Sequence, residues 1–223
     1  MKPVAIAIDG PSGAGKSTIA RALAGELQYV YVDTGALYRA VGYAVLRAGK
    51  NPRDPDEVVP LLPALRVELT YRDGAQHVLL DGEDVGDRIR TPEVSLAASA
   101  VSALPEVRRF LFDLQRDIAR QHNVIMDGRD IGTVVLPHAD VKIFLSASAE
   151  ERARRRFEEL REKGMSVSFD EVLEDMRQRD YNDSHRAAAP LRPADDAVLL
   201  DTTGNTLEQS VEQMKQLIKD RLS

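Results

Sequence analysis

The 223-residue chain contains no cysteine, which excludes disulfides, thiolate metal sites and a cysteine nucleophile. Any metal must be held by oxygen or imidazole. No stretch reaches the roughly 20 uninterrupted apolar residues of a membrane span, and the basic-then-apolar start of a secretory signal is missing. A basic excess is also lacking: the formal net charge is −6, which argues against sequence-independent nucleic-acid binding. Neither internal repeats nor low-complexity segments occur. With 43% hydrophobic and 30% charged residues, the chain can bury the core of one domain. These features lead us to expect a cytoplasmic globule without membrane or nucleic-acid partners. It is expected to be a monomer, because no apolar stripe is left over.

Apolar, partly β-branched runs recur at 4–9, 29–33, 124–127, 141–147 and 197–202, each bounded by turn residues or charges. They read as buried strands of a parallel sheet. Helical periodicity fills 16–27, 35–48, 91–121, 149–163, 169–184 and 206–221, with Pro105 expected to split the third. Alternating strands and helices predict an α/β layered fold. One segment breaks the rhythm. Residues 66–85, "RVELTYRDGAQHVLLDGEDV", alternate like strands around an "RDG" turn and predict an antiparallel hairpin or three-strand insert. It is either surface decoration or part of a ligand site.

The first strand runs into "IAIDGPSGAGKSTIARAL" at 6–23. Gly10, Gly15, Lys16 and Ser17 fit G-x-x-x-x-G-K-[ST] without a mismatch, between a strand and a helix as the motif requires. The glycines allow the backbone N–H groups to turn onto phosphate oxygens, and the helix N-terminus adds partial positive charge. Lys16 is the mobile charge that follows a transferring phosphoryl group, and the Ser17 hydroxyl is placed for Mg2+. A nucleoside triphosphate with Mg2+ is therefore expected on Gly10, Pro11, Ser12, Gly13, Ala14, Gly15, Lys16, Ser17 and Thr18.

The surroundings narrow the class. No N-K-x-D guanine-reading motif follows, which disfavours a switch GTPase. Asp127, ending the fourth apolar run, is either a carboxylate in the outer shell of the metal or a helix or turn cap. Arg39, Arg108, Arg129, Arg152, Arg154, Arg155, Arg156, Arg179 and Arg186 lie in or beside strand ends and helix starts. Each alone reads as a solvated ion pair. Together they suit a second phosphate-bearing substrate, because planar guanidinium groups cancel the repulsion between two anions bidentately. His77, His122, His138 and His185 share no metal-ligand spacing and are given no role.

Taken in order, "DGPSGAGKST", "DTGALYRA", "DGRDIGT", "VKIFLSASAEERARRR" and "RDYNDSHRAAAPL" resemble the bacterial cytidylate kinases over essentially the whole chain. The resemblance implies one kinase domain over 1–223 with a P-loop NTPase-type fold. Its five-stranded parallel sheet, flanked by helices, would occupy about 1–62, 91–150 and 186–223. A small antiparallel monophosphate-binding insert would span about 63–90 and a helical lid about 151–168.

It also implies transfer of the γ-phosphoryl group of ATP to CMP or dCMP. Thr34, where many relatives carry serine, and Arg39 would face the monophosphate; Ser99, Arg108 and Asp130 would read cytosine. A carboxylate accepts from the exocyclic amine of cytosine, and uracil leaves it unpaired, so discrimination of about 1–3 kcal/mol is expected. Arg129 and Arg186 would clamp the transferring phosphate, and Arg179 and Asp183 would contact the ribose. Arg152 and Arg156, at i and i+4 of the lid helix, would fold over the triphosphate and exclude water. Lys16, Arg129, Arg186, Arg152 and Arg156 thus form the expected catalytic set. The rival readings are a kinase of the same fold for another monophosphate or a small metabolite, and a nucleotide-dependent binding switch.

Overall fold

A computed structural model of the chain describes residues 2–72, 75–162 and 164–222. The strands are β1 (Ala5–Asp9), β2 (Val30–Asp33), β3 (Val67–Arg72), β4 (Ala75–Leu80), β5 (Glu83–Asp84), β6 (Val124–Gly128), β7 (Val141–Ser146) and β8 (Val198–Asp201). The helices are α1 (Lys16–Leu27), α2 (Thr34–Arg47), α3 (Pro55–Val58), α4 (Pro92–Val101), α5 (Pro105–Gln121), α6 (Ala149–Glu162), α7 (Phe169–His185) and α8 (Leu207–Leu222). A five-stranded parallel sheet runs in the order β2-β6-β1-β7-β8, and a three-stranded antiparallel sheet in the order β3-β4-β5. The strands expected from apolar runs are all present, within a residue or two of their expected ends. No helix among the described residues is long and apolar enough to cross a membrane.

By proximity, the residues group into two compact units: Val30–Val124 with Met1–Pro3, and Val4–Tyr29 with Ile125–Ser223. In the first, Asp33 caps α2 by accepting from the Ala36 N–H at 2.9 Å, and Thr91 caps α4 by accepting from the Val94 N–H at 3.2 Å. Pro92 and Pro105 stand in the first turns of α4 and α5, where a missing N–H costs nothing. The chain therefore breaks ahead of Pro105, as expected. Helices α2 and α4 approach so closely that a Cβ on Gly42 would lie 2.9 Å from the Ala98 nitrogen.

The insert is a small sheet, with β3 and β4 paired from Val67↔Leu80 to Arg72↔Ala75. The expected "RDG" turn includes Asp73 and Gly74, which lie outside the described residues. Val78, Leu80, Val85 and Ile89 bury their side chains in one cluster with Ala36, Ala40 and Ala44 of α2. Each such aliphatic burial is worth about 1.5–3 kcal/mol.

In the second unit β1 pairs with β7, Ile6↔Val141 through Asp9↔Phe144, and β7 with β8, Ile143↔Val198 through Ser146↔Asp201. Ile6, Ala7 and Ile8 of β1 are fully buried. Helix α7 opens with a reciprocal capping box between Ser168 and Glu171. It packs against α6 through Ala153, Leu160 and Val172, with Phe157 and Phe169 edge to face alongside. Lys163, expected to end the lid helix, lies outside the described residues.

Candidate active site

Ligands of open α/β sheets bind beyond the carboxyl ends of the strands. In the second unit those ends carry Asp9 on β1 and Asp127 on β6, followed by Gly128 and Arg129. Asp9 leads into the glycine-rich loop. Gly10 cannot be replaced there, because a Cβ would stand 2.0 Å from the Leu145 carbonyl oxygen. Gly13 and Gly15 hold φ of 76° and 88°, the left-handed region that disfavours side chains. Helix α1 starts at Lys16 with Gly15 as its N-cap, without a side-chain cap or an acidic residue in its first turn. Its positive end is thus left for an anion.

Lys16 is buried and donates to the Pro11 carbonyl at 2.7 Å. Burial, followed by the Arg129 charge, pushes its pKa down to about 7 against the pull of Asp127, Asp9 and Asp183. Ser17 donates to Asp127 Oδ2 at 2.7 Å, so that carboxylate pairs with the loop hydroxyl. Hydroxyl and carboxylate oxygens suit a hard dication such as Mg2+. No group of three or more His, Cys, Asp or Glu among the described residues forms a metal site, so most ligands of such an ion would come from phosphates and water.

Beside the loop lies a network of buried charges. Arg129 Nε donates to Asp183 Oδ2 at 2.8 Å, and Arg186 Nη2 to Asp130 Oδ1 at 3.3 Å. Burial alone would lower the Arg129 pKa, but Asp183, Asp127 and Asp9 hold it above the usual value. Asp183 is the mirror image: burial would raise its pKa, and Arg129, Arg186 and Arg179 hold it below. Asp183, given to the ribose with Arg179 by resemblance, also accepts from Arg129. Asp9, which no motif flagged, accepts from the Ile131 and Gly132 N–H groups at 2.8 and 2.7 Å. It ties the segment bearing Arg129 and Asp130 to β1.

The two arginines expected in the lid differ. Arg156 is half-buried and donates to Glu159 at 2.7 Å. Arg152 is buried and spent on protein groups: Nε on the Ala147 carbonyl, Nη1 on the Ser12 carbonyl, and both Nη groups on the Asp180 carboxylate. Asp180 too went unflagged; its sequence signal was only an acid beside Arg179.

In the first unit, Thr34 is buried at the start of α2. Arg39, one turn on, donates through Nη2 to Asp33 at 2.7 Å, while its buried Nε has no hydrogen-bond partner. A buried donor left unpaired is costly, and a bound anion would satisfy it. The Gln76 amide of β4 accepts from the Asp33 N–H at 2.9 Å, so the insert braces the turn before Thr34. Arg108, at the start of α5, donates to the Ser102 carbonyl at 3.3 Å and lies over the Tyr38 ring, 5.7 Å from its centre. Ser99 lies in α4, its carbonyl accepting from the Ser102 hydroxyl.

A family profile described as cytidylate kinase matches residues 6–220. The chain is 51% identical over 217 residues to the cytidylate kinase of Caldicellulosiruptor bescii, covering 97% of this chain and 96% of that protein. It is 45% identical over 219 residues to that of Pasteurella multocida, covering 98% and 96%. Among solved structures, an uncharacterized protein from Eubacterium ventriosum shares the fold, with a TM-score of 0.55 and 13% identity over 98% of this chain and 99% of that one.

Proposed function

Because the chain belongs to the cytidylate kinase family, we propose that it transfers the γ-phosphoryl group of ATP to CMP and dCMP, giving ADP and CDP or dCDP. The observation that carries this reading is Lys16, an amine buried at the uncapped start of α1 among Asp9, Asp127, Asp183 and Arg129. An incoming anion of high charge favours the protonated form that its burial opposes.

The loop amides and α1 hold the triphosphate, and Lys16 follows the phosphoryl group as charge moves from donor to acceptor. Ser17 and Asp127 would hold Mg2+, which neutralises the developing charge on the phosphate oxygens when bound. The acceptor, an oxygen of the CMP phosphate, is already ionised, so no general base is required. Catalysis rests on positioning and on cancelled repulsion.

Thr34 and Arg39 are assigned to the CMP phosphate, and the unpaired Arg39 Nε supports that assignment. Arg129 and Arg186 are assigned to the transferring group. Ser99, Arg108 and Asp130 are assigned to the base, and Arg179 and Asp183 to the ribose, with Asp183 also orienting Arg129. Residues about 63–90 are the monophosphate-binding insert and about 151–168 the lid, from which Arg156 approaches the triphosphate. The protein works as a cytoplasmic monomer, where both nucleotides are available. A coupled ADP-release assay across CMP, dCMP, UMP, AMP and shikimate tests the substrate: CMP or dCMP should turn over fastest. Faster UMP or AMP would overturn the roles of Ser99, Arg108 and Asp130, and shikimate turnover would overturn the reading altogether.

A further inference from the structure

The loop that receives the phosphates rests on α6 and α7. The Ser12 carbonyl accepts from Arg152 Nη1 at 2.9 Å. At the next residue, a Cβ on Gly13 would lie 3.2 Å from the Arg152 Cβ and 3.3 Å from the Met176 Cε. Arg152 belongs to α6; Met176 and Asp180 belong to α7. Arg152 is 4% exposed, and its guanidinium is oriented from two further sides, by the Ala147 carbonyl at 2.9 Å and the Asp180 carboxylate. A planar fork pinned in this way has a single orientation, and its Nη1 points at one carbonyl of the loop.

Resting on the kinase reading above, we propose that Arg152 and Asp180 form a positioning pair for the phosphate loop, with Arg152 acting on ATP through Ser12 and Gly13 instead of touching the triphosphate. The loop amides bind phosphate only in one backbone conformation, and Ser12 and Gly13 lie in its middle. The pair therefore makes the readiness of the loop depend on how α6 and α7 pack. Asp180 adds no charge to the phosphates; it would repel them. Its contribution is to hold the arginine.

That difference in sign makes the test. In a direct role, Asp180→Asn frees Arg152 and removes a nearby negative charge, so ATP binding holds or tightens. In a positioning role the same change loosens the fork, and ATP binding weakens about tenfold, as expected for losing one charge-assisted contact. Asp180→Asn, Arg152→Gln and the double variant are compared by ATP affinity from equilibrium binding, by KM for ATP and for CMP, and by Tm.

Pairing predicts a raised Kd and KM for ATP in both single variants, an unchanged KM for CMP, and a double variant no worse than Arg152→Gln. Unchanged or tighter ATP binding in Asp180→Asn beside a loss in Arg152→Gln overturns the proposal in favour of direct contact. An equal loss toward both nucleotides that follows a lowered Tm overturns it in favour of a structural strut. Unchanged ATP affinity in both variants overturns it as well. Wild-type protein that binds ATP but leaves CMP unphosphorylated would sink the kinase reading alone, because the binding arm still tests the pair.

Discussion

Lys16 and Asp9 are both buried, and burial works on them in opposite directions. It lowers the lysine pKa to about 7 and raises the aspartate to about 6. Because its pKa lies below the ordinary 10.5, the folded chain gives up a proton that the unfolded chain keeps, and the lysine's charge costs stability at neutral pH. Lys16→Met keeps the apolar stem and removes the ammonium, so its Tm should equal or exceed the wild-type value while kcat falls by about a thousandfold. A fall in Tm with kcat preserved would deny Lys16 its catalytic role. For Asp9 the pull of the Ile131 and Gly132 N–H groups and of Lys16 lowers the pKa, but burial and the Asp130 charge outweigh it. Between the ordinary value of 3.8 and about 6 the folded chain holds a proton that the unfolded chain releases. This contribution to stability is present at acid pH and is lost as the pH climbs through about 6. Urea unfolding across that window should show the decline in wild type and its absence in Asp9→Asn. Parallel pH profiles would contradict the assignment.

At the scale of elements, the strands were legible because a parallel sheet buries both faces and leaves runs such as "VAIAID" with no polar alternation. Helix ends were legible where their punctuation is local, as at Pro105. The turn at Ile131–Val135 was not, because Asp9, more than a hundred residues earlier, holds it. The insert left two readings open, and Gln76 favours one. Its amide accepts from the Asp33 N–H, and Asp33 in turn caps α2 and pairs with Arg39. A decorative hairpin would leave that turn alone. Gln76→Ala should therefore raise KM for CMP several-fold, on the order of the loss of one or two hydrogen bonds, with KM for ATP unchanged. Equal changes in both, or none, would return the insert to decoration.

For the whole molecule, a single motif pointed to a triphosphate loop, because backbone geometry and one lysine suffice for that chemistry. The residues proposed for the acceptor are scattered over more than 150 positions, from Thr34 to Arg186. Only the ordered set of segments pointed to them. Which protein groups each arginine pairs with could not be read at all: Arg152 and Arg156 share a helix face, yet one is wired to Asp180 and the other to its neighbour Glu159. Pairing partners far along the chain decide that, and a helical repeat does not encode them. If the chain moves a phosphoryl group onto cytidine monophosphate, initial rates of ADP release with saturating ATP and each acceptor in turn will show it. We expect kcat/KM for CMP or dCMP at least about tenfold above UMP and AMP, matching roughly 1.4 kcal/mol or more of base discrimination. A rate with UMP or AMP equal to or above that with CMP would contradict it.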